Sequence, residues 1–131
     1  FLIINPDTIW NLKYLEELKL MEKLFYKNEK SKCYLLVVNK KKSFDKSFKG
    51  DFNINKNLVK KNDLINLKYI YTGVQIIKPE VFLGLTEEVF SMNKIWDYLI
   101  KNKELYGLES SIEFLHVSTL DIYKKLLKEK F

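Results

Sequence analysis

Arginine and alanine occur nowhere in this chain of 131 residues, which also has one cysteine, one histidine, four glycines and two prolines. Each scarcity excludes something. A lone thiol, Cys33, rules out an internal disulfide and a cysteine-built zinc centre. Because it opens an apolar run, it reads as a small buried hydrophobe. A lone imidazole, His116, cannot supply a multi-histidine metal site, and a hydrolytic triad is hard to build around it without a Gly-x-Ser-x-Gly turn. Neither common Gly-rich phosphate loop is present. No apolar run approaches the ~18 residues that span a bilayer, and there is no signal-peptide pattern. The expectation is a cytoplasmic protein with no membrane partner.

The missing arginine matters most because the net charge is +6 and all 23 basic residues are lysine. Bidentate recognition of phosphates and bases favours guanidinium. The composition therefore weighs against a nucleic-acid partner, and Lys40-Lys41-Lys42 reads as a solvated turn. The same bias, rich in Asn, Lys and Ile, is that of an AT-rich coding sequence.

What is present describes a globular body. The apolar share of 47% and aromatic share of 15% are enough for one domain with a real core. There is no internal repeat, low-complexity segment or second domain. The chain opens at Phe1 without a methionine, on residues that read as an interior strand, so residues 1–131 are expected to be one partial domain.

Phe1 to Ile4 is a continuous apolar run, as expected for a strand buried on both faces of a parallel sheet. It stops at Asn5-Pro6-Asp7, where proline cannot donate to a ladder. Leu12 to Tyr26 is amphipathic, with Leu12, Leu15, Leu18, Met21 or Leu20, and Leu24 or Phe25 inward, and with Glu16, Glu17, Lys19, Glu22 and Lys23 solvated. Cys33 to Val38 is a second apolar strand. The two strands and the helix form a βαβ unit, which predicts parallel strands with a right-handed crossover.

After the lysine-rich loop 39–49, residues 50–59 read as a hairpin turning at Asn55-Lys56-Asn57, placed as a surface flap. Lys68 to Lys78 is a strong strand by its β-branched and aromatic content, interrupted by Gly73. A glycine there marks a bulge or a close backbone approach, often to a ligand. Pro79 suits a first helical turn. Ser91 to Asn102 is a helix capped by Ser91, with Ile95, Trp96, Leu99 and Ile100 along one side. Residues 105–108 and 112–117 read as strands. Thr119 to Lys130 is a closing helix with Leu120, Tyr123, Leu126 and Leu127 inward.

Two polar positions stand out, each with a plain structural explanation beside the functional one. Asp7 ends a strand before a helix, which places it at the carboxyl edge of an α/β sheet, where ligands of such folds bind. Asp7 or Asn11 could equally cap that helix. His116 ends an apolar segment and could be a half-buried structural histidine, with Ser118 or Thr119 as helix caps.

Several stretches together resemble one family. In order, they are Phe1-Leu-Ile-Ile-Asn5-Pro6-Asp7, Gly50-Asp51-Phe52, Tyr71-Thr72-Gly73-Val74-Gln75-Ile76-Ile77-Lys78-Pro79-Glu80-Val81-Phe82, Phe90-Ser91-Met92-Asn93-Lys94-Ile95-Trp96-Asp97 and Phe114-Leu115-His116-Val117-Ser118-Thr119. The chain is similar to sugar-1-phosphate nucleotidyltransferases, above all the N-acetylmuramate-1-phosphate uridylyltransferase and mannose-1-phosphate guanylyltransferase branches.

The resemblance implies a Rossmann-like, glycosyltransferase-A-like α/β fold, a mixed sheet flanked by helices. It also implies an enzyme that joins a nucleoside monophosphate from UTP or GTP to a sugar 1-phosphate, releasing pyrophosphate, with Mg²⁺ as cofactor and a place in cell-wall sugar metabolism or recycling. By the same resemblance, Asp7 matches the metal-binding aspartate. Asn5, Gly50, Thr72 and Gly73 match positions around the sugar, and His116 stands at the second metal position. Two departures are visible. Pro6 replaces a glycine, and His116 and Ser118 replace the aspartate and glycine of the usual Trp-x-Asp-x-Gly-Thr. The Gly-rich loop that grips the nucleotide in the family lies upstream of anything present. The piece alone is therefore expected to be inactive, and a non-catalytic relative with a regulatory or subunit-binding role is the alternative.

Overall fold

The structure, a computed structural model, describes residues 1–83 and 91–131. Six strands form one mixed sheet: β1 (Leu2–Ile4), β2 (Cys33–Asn39), β3 (Asn53–Asn55), β4 (Leu58–Lys60), β5 (Tyr69–Ile77) and β6 (Leu105–Ser110), in the spatial order β1-β5-β2-β6-β4-β3. Among the described residues, three α-helices accompany it: α1 (Tyr14–Lys27), α2 (Met92–Lys101) and α3 (Leu120–Lys130). This is the mixed α/β architecture expected.

β2 and β5 are the centre. β2 is buried along Cys33–Val38 because each alternate side chain has its own layer to fill. Cys33, Leu35 and Val37 pack with Phe52, Val59, Ile95, Trp96 and Leu99 on the α2 side. Tyr34 and Leu36 pack with Tyr14, Met21 and Phe25 on the α1 side. Each such apolar side chain taken out of water contributes roughly 1.5–3 kcal/mol, so a sheet filled on both faces carries most of the stability. Cys33 is fully buried, as read from the sequence, and burial pushes its thiol pKa well up.

The first strand departs from expectation. β1 is an edge strand paired antiparallel to β5, with Leu2 and Ile4 each 49% exposed. β5 is also antiparallel to β2 and lies between the two, so β1 and β2 run the same way without pairing. The neighbouring parallel pair is β2 with β6.

α1 presents Tyr14, Met21 and Phe25 inward, leaving Leu12, Leu15 and Leu20 exposed. Trp10 packs edge-on against Tyr14 at 5.0 Å and sets this rotation. Glu17, expected to be solvated, is instead half-buried and accepts hydrogen bonds from the Ser110 and Ser111 hydroxyls and the Ser111 N–H. Neither Asp7 nor Asn11 caps α1: its N-cap is Lys13, without a side-chain cap, and Asn11 accepts from the Lys13 N–H at 2.9 Å in the turn just before it.

The hairpin forms as read. Lys56 and Asn57 both have positive φ (51° and 67°), as a two-residue type I′ turn requires. It is part of the sheet and not a flap, since β4 pairs with β6 at Leu58–Tyr106. Ser91 caps α2 through the Asn93 N–H, and Ile95, Trp96 and Leu99 are buried. Phe90, quoted with that motif, lies outside the described residues.

Residues 112–117 are not a strand. The segment makes two isolated bridges, Phe114 with Ser43 and His116 with Thr8. Thr119 caps α3 through the Ile122 N–H, but only Leu126 of the four inward positions is buried. α3 touches the body along a narrow line, so Leu120, Tyr123 and Leu127 remain exposed.

Candidate functional site

The rim of the sheet at the carboxyl end of β1 is built by three separate stretches crossing there. Opposite Leu35 to Val37 the register of β5 slips, forming a bulge at Thr72-Gly73. Gly73 has φ +106°, and a β-carbon on it would sit 3.0 Å from the Asn5 side chain. The bulge and close approach expected of Gly73 are both present. The approaching group is the chain's own Asn5, not a ligand.

Hydrogen bonds fasten the incoming segment to that bulge. The Asn5 N–H donates to the Gly73 carbonyl at 2.7 Å. The Thr8 hydroxyl, buried, donates to the Thr72 carbonyl at 2.7 Å, and the Thr72 hydroxyl donates to the Leu36 carbonyl at 2.8 Å. The third stretch arrives from after β6. The Ile9 N–H donates to the Leu115 carbonyl at 2.8 Å, and the Val117 N–H to the Asp7 carbonyl at 2.9 Å. Asp7 and His116 are thereby held face to face, with Asp7 Oδ2 and His116 Nε2 3.1 Å apart.

The pair is asymmetric. The Asp7 side chain is 51% exposed and that of His116 20%. The imidazole is walled by Phe48 (5.5 Å, edge-on) and Phe114 (5.6 Å). Its Nδ1 is buried and meets no hydrogen-bond partner among the described residues, so Nε2 is the ring nitrogen that faces Asp7.

Beside it lies a second aspartate that the sequence reading did not single out. Asp45 is buried and accepts from the Ser47 N–H, the Ser47 hydroxyl and the Ser118 hydroxyl. Those hydrogen bonds, led by Ser118, hold its carboxyl below the usual carboxylate range, with nearby His116 as a smaller cause. The only local signal was the alternation Ser43-Phe44-Asp45-Lys46-Ser47, which favours side-chain-to-backbone turns.

The structure thus joins Asn5, Asp7, Thr72, Gly73 and His116 in one network. Gly50 stands apart from it. With φ +90°, it is pressed against the Leu67 carbonyl at the approach to β5, where a β-carbon would sit 2.1 Å from that oxygen.

The donor set fits one kind of cation. Among the described residues, no group of three or more His, Cys, Asp or Glu side chains could hold a metal. A dedicated protein cage is therefore absent from those residues. Mg²⁺ does not require one, since it is commonly held by one or two carboxylates with water and substrate phosphates. Asp7, rigidly based and half-exposed, is suited to be such a single oxygen ligand.

Comparison with protein-family models and with curated proteins gives no match. Among solved structures, the chain is similar to one described as a glucose-1-phosphate thymidylyltransferase from Bacillus anthracis, determined in complex with sucrose. The match covers 99% of this chain and 55% of that one, at 16% identity and a TM-score of 0.66. The chain therefore shares the fold of that neighbour and spans about half of its length.

Proposed function

We propose that this chain is the sugar-side and metal-side portion of an Mg²⁺-dependent nucleotidyltransferase. The enzyme would transfer a nucleoside monophosphate from UTP or GTP to a sugar 1-phosphate. The convergence of Asp7, His116 and the Thr72–Gly73 bulge at one sheet rim carries this reading. The fold likeness supports it. The Gly-rich loop gripping the nucleotide would come from a segment outside these 131 residues.

In the proposed reaction, an oxygen of the sugar 1-phosphate attacks the α-phosphorus in line. The new P–O bond forms as the bond to the departing pyrophosphate breaks, with no covalent enzyme intermediate. Such a step needs placement and charge neutralisation more than proton transfer. Asp7 would hold Mg²⁺, which when bound supplies positive charge against the phosphate oxygens. His116 Nε2, 3.1 Å from the Asp7 carboxylate, would position it and would meet a phosphate oxygen brought to the same place. Asn5 would face the sugar from a base fixed by Thr72 and Gly73, whereas Gly50, which the resemblance also implies, stands apart from this network.

A second reading rests on the same contact. If the His116–Asp7 bond is permanent, the carboxylate is occupied and the domain is a non-catalytic regulatory or subunit-binding relative. A panel of nucleoside triphosphates and sugar 1-phosphates, followed by pyrophosphate release from the full protein, separates the two. Mg²⁺-dependent turnover with one pair supports the enzyme. Its absence across the panel supports the second reading.

A further inference from the structure

Next to the Asp7–His116 junction, but outside it, lies a concentration of uncompensated positive charge. The loop after β2 and the segment leading from Asp45 border an open, shallow recess of about 470 Å³ lined by Lys40, Lys41, Lys46 and Phe48. Phe48 is the shared wall, since its ring also packs edge-on against His116 at 5.5 Å.

The lysines are not spent on structure in the usual way. None of the ion pairs among the described residues involves Lys40, Lys41 or Lys46. Lys46 Nζ donates to the Lys41 carbonyl at 2.7 Å, which holds its charge at the recess. The one carboxylate in the same loop, Asp45, turns inward and is engaged by Ser47 and Ser118. A buried, hydrogen-bonded anion of this kind leaves the lysine charges facing solvent.

Lys42 breaks the run. Its Nζ turns away to the Ser111 carbonyl at 3.0 Å. The three consecutive lysines therefore do not form a continuous stripe, as tracking of a nucleic-acid backbone would favour. They leave an open, shallow recess bordered by three lysines and one ring. Ammonium groups bind phosphate as point charges, without the planar fork that arginine provides.

We propose that the Lys40–Lys41–Lys46 recess over Phe48 binds the diphosphate group of a small ligand. The inference goes beyond the reaction assigned above and does not require that reaction to be correct. Inorganic pyrophosphate and a nucleoside diphosphate share the chemistry, and the experiment includes both.

The test is isothermal titration of the full protein with inorganic pyrophosphate and, separately, with UDP, both metal-free and at low salt. The wild type is compared with the Lys40→Gln/Lys41→Gln/Lys46→Gln triple variant, with thermal melting as the folding control. Each exposed lysine contributes up to about fivefold, so the triple variant is expected to bind pyrophosphate roughly a hundredfold more weakly at an unchanged melting temperature. Equal loss of both ligands assigns the recess to the diphosphate itself. UDP binding tighter than pyrophosphate, and lost in the same variant, assigns it to a nucleotide.

Pyrophosphate binding that survives the triple substitution overturns the proposal, as does no binding by the wild type. Preferential binding of an RNA oligonucleotide, with a steep salt dependence abolished in the triple variant, also overturns it, in favour of a nucleic-acid surface. Lys42→Gln is the internal control. Because its amine faces Ser111, it should change pyrophosphate affinity by less than about twofold.

Discussion

Two aspartates neighbour the same histidine, and their surroundings differ in almost every respect. Asp45 is 5% exposed, and its oxygens accept from Ser47 and Ser118, which fastens the loop after β2 to the segment entering α3. The Asp7 side chain is 51% exposed and meets only His116 among the ion pairs of the described residues. A carboxylate saturated by hydroxyl and amide donors holds a fold together and has little left for a ligand. A carboxylate on rigid backbone with one replaceable partner is built for exchange. The two differ in the count of fixed donors, not in residue type, and the binding role proposed for Asp7 rests on that difference.

Stability measurements can break that comparison. Asp45→Ala should cost the most, about 3 kcal/mol by chemical denaturation, because charge-assisted hydrogen bonds are lost and two serine hydroxyls lose their partner. Gly73→Ala should follow at about 2 kcal/mol. It would force a positive φ on a β-carbon and press it against Asn5, disturbing the base on which Asp7 stands. Thr119→Ala removes the cap from the Ile122 N–H and should cost about 1 kcal/mol. Asp7→Asn should cost least, under about 1 kcal/mol, since a half-exposed pair contributes little to folding.

The two carboxylates should also differ in acid. The folded pKa of Asp45 lies below its unfolded value, so its contribution is fully present above the unfolded pKa. That contribution is lost as pH falls through the folded one. The gap in denaturation midpoint between wild type and Asp45→Asn should be wide at about pH 7 and should narrow as pH falls through the folded pKa. A gap that persists in acid would show that Asp45 contributes shape rather than charge.

The parts of the fold that could be read ahead are those whose surroundings repeat locally. β2 and β5 declare themselves because burial on both faces demands unbroken apolar or β-branched sequence. α2 is legible from the Ser91 cap and the spacing of Ile95, Trp96 and Leu99. β1 was misplaced because Phe1 to Ile4 is as apolar as an interior strand, and nothing local marks an edge. Residues 112–117 have strand-like composition, yet they pair only at single points with Ser43 and Thr8.

At the site the division is similar. Asp7 could be found because Asn5-Pro6 stops a strand just before it. Asp45 could not, because its partner Ser118 is 73 residues away and the alternating serines resemble an ordinary loop. The Lys40–Lys42 run illustrates both outcomes. Read as a solvated turn, it is a short helical turn whose Lys40 and Lys41 charges face solvent at a recess beside the His116 wall, whereas the Lys42 amine is taken up by the Ser111 carbonyl.

The account rests on the exposed aspartate serving a ligand and the buried one serving the fold. The most direct measurement is pyrophosphate release by the full protein carrying Asp7→Asn, assayed with Mg²⁺ and the best substrate pair, alongside its thermal melt. The account predicts turnover reduced at least a thousandfold, about 4 kcal/mol of lost transition-state stabilisation, with an essentially unchanged melting temperature. Turnover near that of the wild type would contradict it.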